Sequence, residues 1–300
     1  MTGFRCAAAS LERDEPLTGT ASTVRAFLLV EHPGPWGTVA LRDARMPDHV
    51  AADLRERSAA AGVRTLLVRR HGGGGGDGVR VLAAWADAHA PWLETTTLSS
   101  LEELKGLDLD ALGRGRSLGL RRTDEPFVGV CTHGRHDACC AELGRPTAAA
   151  LAASHPDLVW EVSHVGGDRF AANLLVLPDG LYYGRVDPEA APALLDRHLA
   201  GHLDPDRLRG RSGYPFDVQV AEVAARRASG DTGLRSVTVR TVLRDGPVSR
   251  VRLDVAGTPY DVTVERSTSP ERHRLTCQAL RESPAPSYDV REVVVANDAE

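Results

Sequence analysis

The order of apolar runs between residues 127 and 199 constrains the fold of this chain more than any other feature of its sequence. A first apolar run is followed by an alanine-rich helix pattern over 146–154 and by a second run over 158–162. Two more runs then flank Asp179-Gly180, a dipeptide that is typical of the tight turn in a β-hairpin. A helix pattern closes the segment. The segment therefore predicts strand, helix, strand, hairpin and helix, in that order.

The same order of patterns occurs once earlier in the chain, between residues 24 and 112. This earlier segment holds strand patterns at 24–31, 64–69, 79–85 and 92–98 and helix patterns at 47–61 and 99–112. Strand, helix, strand, hairpin and helix is the thioredoxin-like order, so its recurrence predicts an internal duplication.

The pattern changes beyond residue 212, where a helix at 218–228 is followed by runs that alternate apolar and polar residues. These runs predict strands at 236–243, 248–255, 260–264, 274–280 and 287–295. The predicted class is therefore α/β (α+β). We expect duplicated thioredoxin-like domains at residues 1–120 and 121–205, and a small C-terminal helix-plus-antiparallel-sheet domain at 212–300.

Composition excludes several classes of function. The net charge of −5 argues against a protein that binds nucleic acid or an anionic membrane through a cationic surface. No stretch approaches the roughly 20 apolar residues that span a bilayer, and the first residues lack the apolar core of a signal peptide. We therefore expect a cytoplasmic protein. The glycine run at 72–78 predicts a flexible hairpin connection, and the acidic tail at 297–300 predicts a frayed end.

Potential metal ligands are concentrated directly after the strand that ends at Cys131. Three of the five cysteines and two of the eleven histidines lie within ten residues, namely Cys131, His133, His136, Cys139 and Cys140. A second polar loop, 163–168, follows the strand at 158–162. This density, with an odd number of cysteines in 300 residues, indicates reduced thiols at a metal or redox site rather than a disulfide framework.

An iron–sulfur cluster of the 2Fe-2S type is the cofactor that these loops fit best. Such a cluster takes four protein ligands, and histidine replaces cysteine on one iron in some centres. Cys131 and Cys140, with eight residues between them, would supply the thiolates, and His164 an imidazole from the second loop. Gly166 and Gly167 lack a Cβ and tolerate positive φ, so the backbone there could approach an inorganic sulfide closely.

At these residues the chain resembles the sucrase/ferredoxin-like family. The resemblance rests on three motifs: Cys131-Thr-His-Gly-Arg-His-Asp with Cys140, Trp160-Glu-Val-Ser-His164-Val-Gly-Gly, and Arg169-Phe-Ala-Ala-Asn173-Leu-Leu-Val-Leu-Pro178-Asp-Gly. Further similarity extends from Gly19 to the start of the last domain. The resemblance implies a thioredoxin-fold 2Fe-2S electron carrier in which two cysteines bind one iron and a His-x-x-x-His pair binds the other.

The chain departs from that family pattern at one position, because Asp168 stands where the second histidine is expected. Three outcomes follow. Asp168 could ligate through a carboxylate oxygen, which is a harder ligand than imidazole. Cys139, His133 or His136 could supply the fourth bond instead. The cluster could also be absent, which would leave a degenerate loop.

The remaining cysteines and histidines are expected to play structural roles. Cys139 is predicted to face away from Cys140, because adjacent residues do not easily bind the same iron. We expect His133 and His136 to form hydrogen bonds within their own loop. Cys6 and Cys277 lie far from the motif in sequence and are predicted to be structural.

These observations predict a one-electron carrier that makes and breaks no substrate bonds and serves an unknown redox partner protein. The oligomeric state is not predicted. One alternative is a thiol-based thioredoxin/glutaredoxin-like oxidoreductase that uses Cys139 or Cys140, although the chain has no Cys-x-x-Cys motif. Another is a cofactor-free interaction module with a degenerate cluster site.

Overall fold

The computed structural model describes residues 3–73 and 76–296. Two sequence predictions therefore lie partly or wholly outside the described residues, namely the hairpin connection at 72–78 and the frayed end at 297–300. Within the described part of the chain, no helix combines the length and the apolar character that crossing a bilayer requires.

Among its described residues, the first half of the chain contributes five strands and four α-helices. Its strands are β1 (Ala26–Glu31), β2 (Val63–Arg70), β3 (Val79–Trp85), β4 (Trp92–Leu98) and β5 (Arg121–Arg122). Its helices are α1 (Cys6–Glu12), α2 (Ala40–Asp43), α3 (Asp48–Ala61) and α4 (Leu109–Gly113). The single helix predicted at 99–112 is wrong, because a 3₁₀ helix over Leu101–Gly106 ends before Asp108, whose side chain accepts from the N–H of Ala111 and starts α4.

The second half repeats this plan. Its strands are β6 (Phe127–Cys131), β7 (Val159–Val162), β8 (Leu174–Leu177), β9 (Leu181–Tyr183) and β10 (Leu208–Arg211), and its helices are α5 (Ala138–Ser154) and α6 (Ala191–Leu199). The predicted start of α5 at Pro146 is wrong. The helix begins eight residues earlier, at Ala138, with Asp137 as its N-cap, and Pro146 lies inside it.

All ten of these strands form one sheet, with the order β10-β9-β8-β6-β7-β2-β1-β3-β4-β5. Each half has a parallel pair, β1 with β2 and β6 with β7, followed by antiparallel strands β3 and β4 or β8 and β9. The halves meet edge to edge where β2 pairs antiparallel with β7. The two halves therefore share one strand order within a continuous sheet.

The sheet is buried on both faces, which explains the continuous apolar runs in its central strands. In β1, Phe27 and Leu29 pack into a core that spans both halves, whereas Leu28 and Val30 pack on the other face among the helices of the first half. The core that spans both halves also contains Cys131 and Cys140. The strand ends that carry the polar loops are therefore held in a rigid interior.

A separate four-stranded antiparallel sheet follows helix α7 (Phe216–Ser229), as predicted for the C-terminal part. Its strands are β11 (Val237–Asp245), β12 (Val248–Val255), β13 (Thr258–His273) and β14 (Ser283–Val295), in that order. The strand predicted at 274–280 is wrong. That segment forms no ladder, and its Cys277 N–H instead donates to Asp137 at 2.6 Å.

Candidate metal centre

The first polar loop places Cys131 and Cys140 together through a close contact between a strand and a helix. Cys131 ends β6, and α5 begins at Ala138 with the Asp137 side chain accepting from the Cys139 N–H at 2.9 Å. Gly144 allows the helix to approach, because a Cβ there would overlap the Cys131 carbonyl oxygen. Both cysteine side chains are buried, and their sulfur atoms face each other across this contact.

The second polar loop follows β7, which lies parallel to and beside β6. The carboxyl ends of two neighbouring parallel strands lie at the same edge of the sheet, so the two loops converge. Gly166 and Gly167 have φ values of 95° and 77°, which side chains rarely adopt. A Cβ on Gly167 would overlap the guanidinium of Arg209, and this packing accounts for the glycine. Contact of these glycines with a cofactor stays a prediction.

Four potential ligand atoms meet where the loops converge. The ligand atoms of Cys131, Cys140 and His164 lie within 4.8 Å of one another. The Asp168 Oδ1 atom lies 3.1 Å from the Cys140 Sγ atom and 2.8 Å from the His164 Nδ1 atom. That buried nitrogen has no aligned hydrogen-bond partner among the described residues. Two thiols and an imidazole–carboxylate pair therefore line one small space, which fits a centre of mixed ligation.

The charges at this site favour the ligating, ionised forms of Cys131 and Asp168, whereas they favour the protonated form of His164, which must lose its proton before it can bind a metal. Contact with the Cys140 thiol, helped by His164 and opposed by burial, holds the pKa of Cys131 well below its usual range. Burial lowers the pKa of His164, but Asp168 and Cys131 together raise it to about 9. Burial raises the pKa of Asp168, and contact with His164 outweighs this and lowers it. The site without metal thus resembles a thiolate and a carboxylate that together stabilise an imidazolium.

The His133 and His136 side chains find their partners outside their own loop, although the His136 N–H donates to the His133 carbonyl oxygen within it at 3.0 Å, so the prediction is wrong for the side chains. His133 Nε2 lies 2.8 Å from the carbonyl oxygen of Gly37, and His136 Nδ1 lies 3.2 Å from that of Thr38. A loop of the first half therefore covers the ligand loop of the second, through contacts that no local pattern could indicate.

Of the three alternative fourth ligands, His136 is the one that the structure brings to the site. Its ring stacks on His164 with 3.8 Å between centroids, and its Nε2 atom lies 3.8 Å from Asp168 Oδ2. Among the described residues, Cys139 instead groups with Cys6, Asp137 and Cys277 on the other side of α5. Cys139 thus faces away from Cys140 as predicted, and Cys6 and Cys277, although distant in sequence, lie beside Cys139 in the fold.

Arg209 holds the second polar loop in place through hydrogen bonds, and this role was not predicted from the sequence. Its side chain is fully buried in β10 and donates to Gly166 O and Asn173 Oδ1, each at 2.8 Å, and to Thr20. Burial lowers the pKa of Arg209 to about 10. The only sequence signal is its place in the short run 208–211, which gives no hint that the arginine is enclosed.

One protein family matches most of this chain. A family model described as sucrase/ferredoxin-like matches residues 17–210. No curated protein matches the chain. Among solved structures, the thioredoxin-like 2Fe-2S ferredoxin from Aquifex aeolicus is 23% identical, with 31% of this chain and 96% of that chain covered and a TM-score of 0.27. A cysteine-to-serine variant of it is 20% identical, with 29% and 99% covered and a TM-score of 0.26.

Proposed function

Because the chain belongs to the sucrase/ferredoxin-like family, we propose that it is a one-electron carrier with a 2Fe-2S cluster. The proposed ligands are Cys131, Cys140, His164 and Asp168. The observation that carries the proposal is the convergence of these four side chains from two loops at one sheet edge. When bound, a 2Fe-2S cluster accepts and releases single electrons.

The four side chains form two pairs, as a binuclear cluster requires. Cys131 and Cys140 supply soft sulfur donors from β6 and α5, which suit the first iron. His164 and Asp168 supply a nitrogen and an oxygen 2.8 Å apart from the second loop. We propose that Asp168, an anion in place of the family's second histidine, lowers the reduction potential of the centre.

A centre with a single metal ion is the second candidate, because Asp168 contacts both a thiol and the imidazole. The Asp168 Oδ1 atom is as close to Cys140 Sγ as to its partner His164, at 3.1 Å and 2.8 Å. Content of acid-labile sulfide distinguishes the two candidates.

The burial of both candidate nucleophiles argues against a thiol-based oxidoreductase. The Cys139 and Cys140 residues are 2% and 0% exposed, so neither sulfur is accessible to a substrate disulfide. The His164 and His136 side chains are 26% and 31% exposed and form the part of the site that reaches the surface. We propose that a redox partner protein docks at this edge.

The domain organisation and the cellular location are also part of this proposal. The shared strand order of the two halves supports duplicated thioredoxin-like domains. The domain limits 1–120, 121–205 and 212–300, and the cytoplasmic location, stay predictions.

The proposal is tested on full-length protein purified and kept without oxygen. Iron, acid-labile sulfide, the visible absorption spectrum and the EPR spectrum of the reduced protein are measured. We expect about two irons and two sulfides per chain. Cys131→Ser should lose the visible spectrum, whereas Cys139→Ser, which changes a thiol on the other side of α5, should keep it.

Two results would overturn the proposal. One bound metal ion without sulfide would establish the mononuclear centre instead. Protein that stays colourless after reconstitution with iron and sulfide would establish the cofactor-free module.

A further inference from the structure

A second group of sulfur atoms lies on the opposite side of α5 from the candidate centre. It joins Cys6 at the start of α1, Cys139 in the first turn of α5 and Cys277 between β13 and β14, together with the carboxylate of Asp137. Cys6 and Asp137 are 0% exposed and Cys139 is 2% exposed, whereas Cys277 is half-buried. Three thiols and one carboxylate from three distant segments thus enclose one space.

The spacing of these atoms matches the ligands of one tetrahedral ion. The Cys139 and Cys277 sulfur atoms lie 3.4 Å apart, and those of Cys277 and Cys6 lie 3.6 Å apart. The Cys6 sulfur lies 3.6 Å and 3.7 Å from the two Asp137 oxygens. With Zn–S bonds near 2.3 Å and Zn–O bonds near 2.1 Å, tetrahedral geometry places neighbouring ligand atoms roughly 3.5 to 3.8 Å apart.

The carboxylate of Asp137 lacks a cationic partner. Among the described residues, no lysine, arginine or histidine forms an ion pair with it, although it is fully buried. It accepts N–H groups from Cys139 at 2.9 Å and Cys277 at 2.6 Å. A buried carboxylate without a counter-charge is costly, and a divalent cation between it and the thiols would supply that charge.

We infer that Cys6, Cys139, Cys277 and Asp137 form a site for one Zn²⁺ ion. Three sulfur donors select a soft or borderline cation, and four donors complete the closed tetrahedron of a structural zinc site. Binding replaces the three thiol protons by the ion, and these protons pass to solvent. The site is independent of the proposed electron-transfer function, since it shares no ligand with the candidate centre.

A disulfide bond explains this group of residues less well than a bound metal ion does. The Cys139 and Cys277 sulfur atoms are 3.4 Å apart, well beyond the roughly 2.05 Å of a disulfide bond. A disulfide would also pair only two of the three thiols and leave the Asp137 carboxylate uncompensated. A single ion uses all four groups.

The surrounding residues support a bound cation with three thiolates. The Cys6 N–H donates to the Cys277 sulfur at 3.4 Å, and Cys139 lies in the first turn of the 17-residue helix α5, where the helix dipole favours negative charge. Arg5, which forms a bidentate pair with Glu142 on α5, holds the N-terminal segment against the helix. A zinc ion here would tie the N-terminus and the C-terminal sheet to the helix that also carries Cys140.

The test uses Co²⁺ as a spectroscopic probe in the full-length Cys140→Ser variant, which removes a ligand of the candidate centre. We expect one Co²⁺ per chain, with the sulfur-to-cobalt charge-transfer band and the strong visible bands of a tetrahedral thiolate site, and displacement of Co²⁺ by Zn²⁺. Adding Cys277→Ser should lower the affinity for Co²⁺ by roughly 100-fold or more, because loss of a ligand costs at least as much as loss of its outer-shell partner. Adding Cys131→Ser instead should leave the affinity unchanged.

A second measurement avoids substitutions in the buried cluster. Cys277 is the one partly exposed thiol of the group, so its alkylation in wild-type protein should slow at least tenfold when Zn²⁺ is added. The inference is overturned if no thiolate band appears, if Cys277→Ser leaves it unchanged, or if mass spectrometry of protein kept without oxygen finds Cys139 and Cys277 disulfide-bonded.

Discussion

Cys139 and Cys140 are neighbours in sequence, yet their sulfur atoms belong to different clusters on opposite sides of α5. The Cys140 Sγ atom lies 3.1 Å from Asp168 Oδ1, whereas the Cys139 Sγ atom lies 3.4 Å from the Cys277 Sγ atom. Successive residues of a helix point about 100° apart, so one helical turn can serve two sites. Asp137, which caps this turn, fixes both directions at once.

Replacing Asp168 by histidine should raise the reduction potential of the proposed cluster by on the order of 100 mV. The substitution exchanges an anionic oxygen ligand for a neutral imidazole, which stabilises the oxidised cluster less. Protein-film voltammetry of wild type and Asp168→His measures the difference, with Asp124→His as a control at an exposed acid. A higher potential in the wild type would refute this account of Asp168.

Gly144→Ala should disturb the candidate centre without changing any ligand. The added Cβ would overlap the Cys131 carbonyl oxygen, so α5 and with it Cys140 must move away from β6. We expect a loss of about 1–3 kcal/mol in the free energy of unfolding, together with weaker cofactor retention. Urea denaturation and iron content provide the measurements. The control is Gly106→Ala, where the added Cβ meets open space, and it should change neither the free energy of unfolding nor the iron content. Equal effects of Gly144→Ala and Gly106→Ala would argue against a close approach of α5 to β6.

Arg209→Met should destabilise the protein by about 3 kcal/mol, because it leaves buried acceptors without donors. The guanidinium donates to Gly166 O and Asn173 Oδ1 at 2.8 Å, and the Asn173 side chain is buried. The free energy of unfolding from urea titration tests this. The matched control is Arg227→Met, whose side chain is 53% exposed and should cost less than about 0.5 kcal/mol. Similar costs at the two positions would contradict the role assigned to Arg209.

Asp217 should make the stability of the contact between α7 and the C-terminal sheet depend on acid pH. Burial alone raises the pKa of Asp217, but Arg244 at 2.8 Å and Ser249 at 2.7 Å outweigh this and lower it below its ordinary value of 3.8. A depressed pKa means that the stabilisation is complete above that ordinary value and is lost as the pH falls through the folded-state pKa.

The measurement compares the free energies of unfolding of wild type and Asp217→Asn at about pH 7 and about pH 3. The wild type should be more stable by about 1 kcal/mol at the higher pH, and the difference should shrink at the lower pH. Asp206→Asn, at a side chain that is 86% exposed, serves as the control. A difference that stays constant across this range would show that ionisation of Asp217 does not stabilise the fold.

Much of the candidate centre could be predicted because its ligands follow two strands in the chain. Apolar runs identify β6 and β7, and the ligands follow directly after these runs, so the sequence indicates that Cys131 and His164 could bind one cluster. The structure brings them together because β6 and β7 are parallel neighbours. The start of α5 was not predicted. Proline is favoured in the first turn of a helix, so Pro146 before the alanine-rich stretch indicated a start there, whereas the helix is capped by Asp137. The partners of His133 and His136 were missed because Gly37 and Thr38 belong to the other half of the chain.

The sequence by itself determined that two polar loops follow strands and which types of residue they bring to the candidate centre. Local runs of apolar residues indicate the strands, and the short spacing of cysteines and histidines indicates the ligands. Only the tertiary structure decided that Cys6 and Cys277, 271 residues apart, meet Cys139 behind the same helix. Long-range contacts of this kind depend on how the N-terminal helix and the C-terminal sheet pack onto α5. Packing is a property of complementary surfaces, which no periodicity along the chain records.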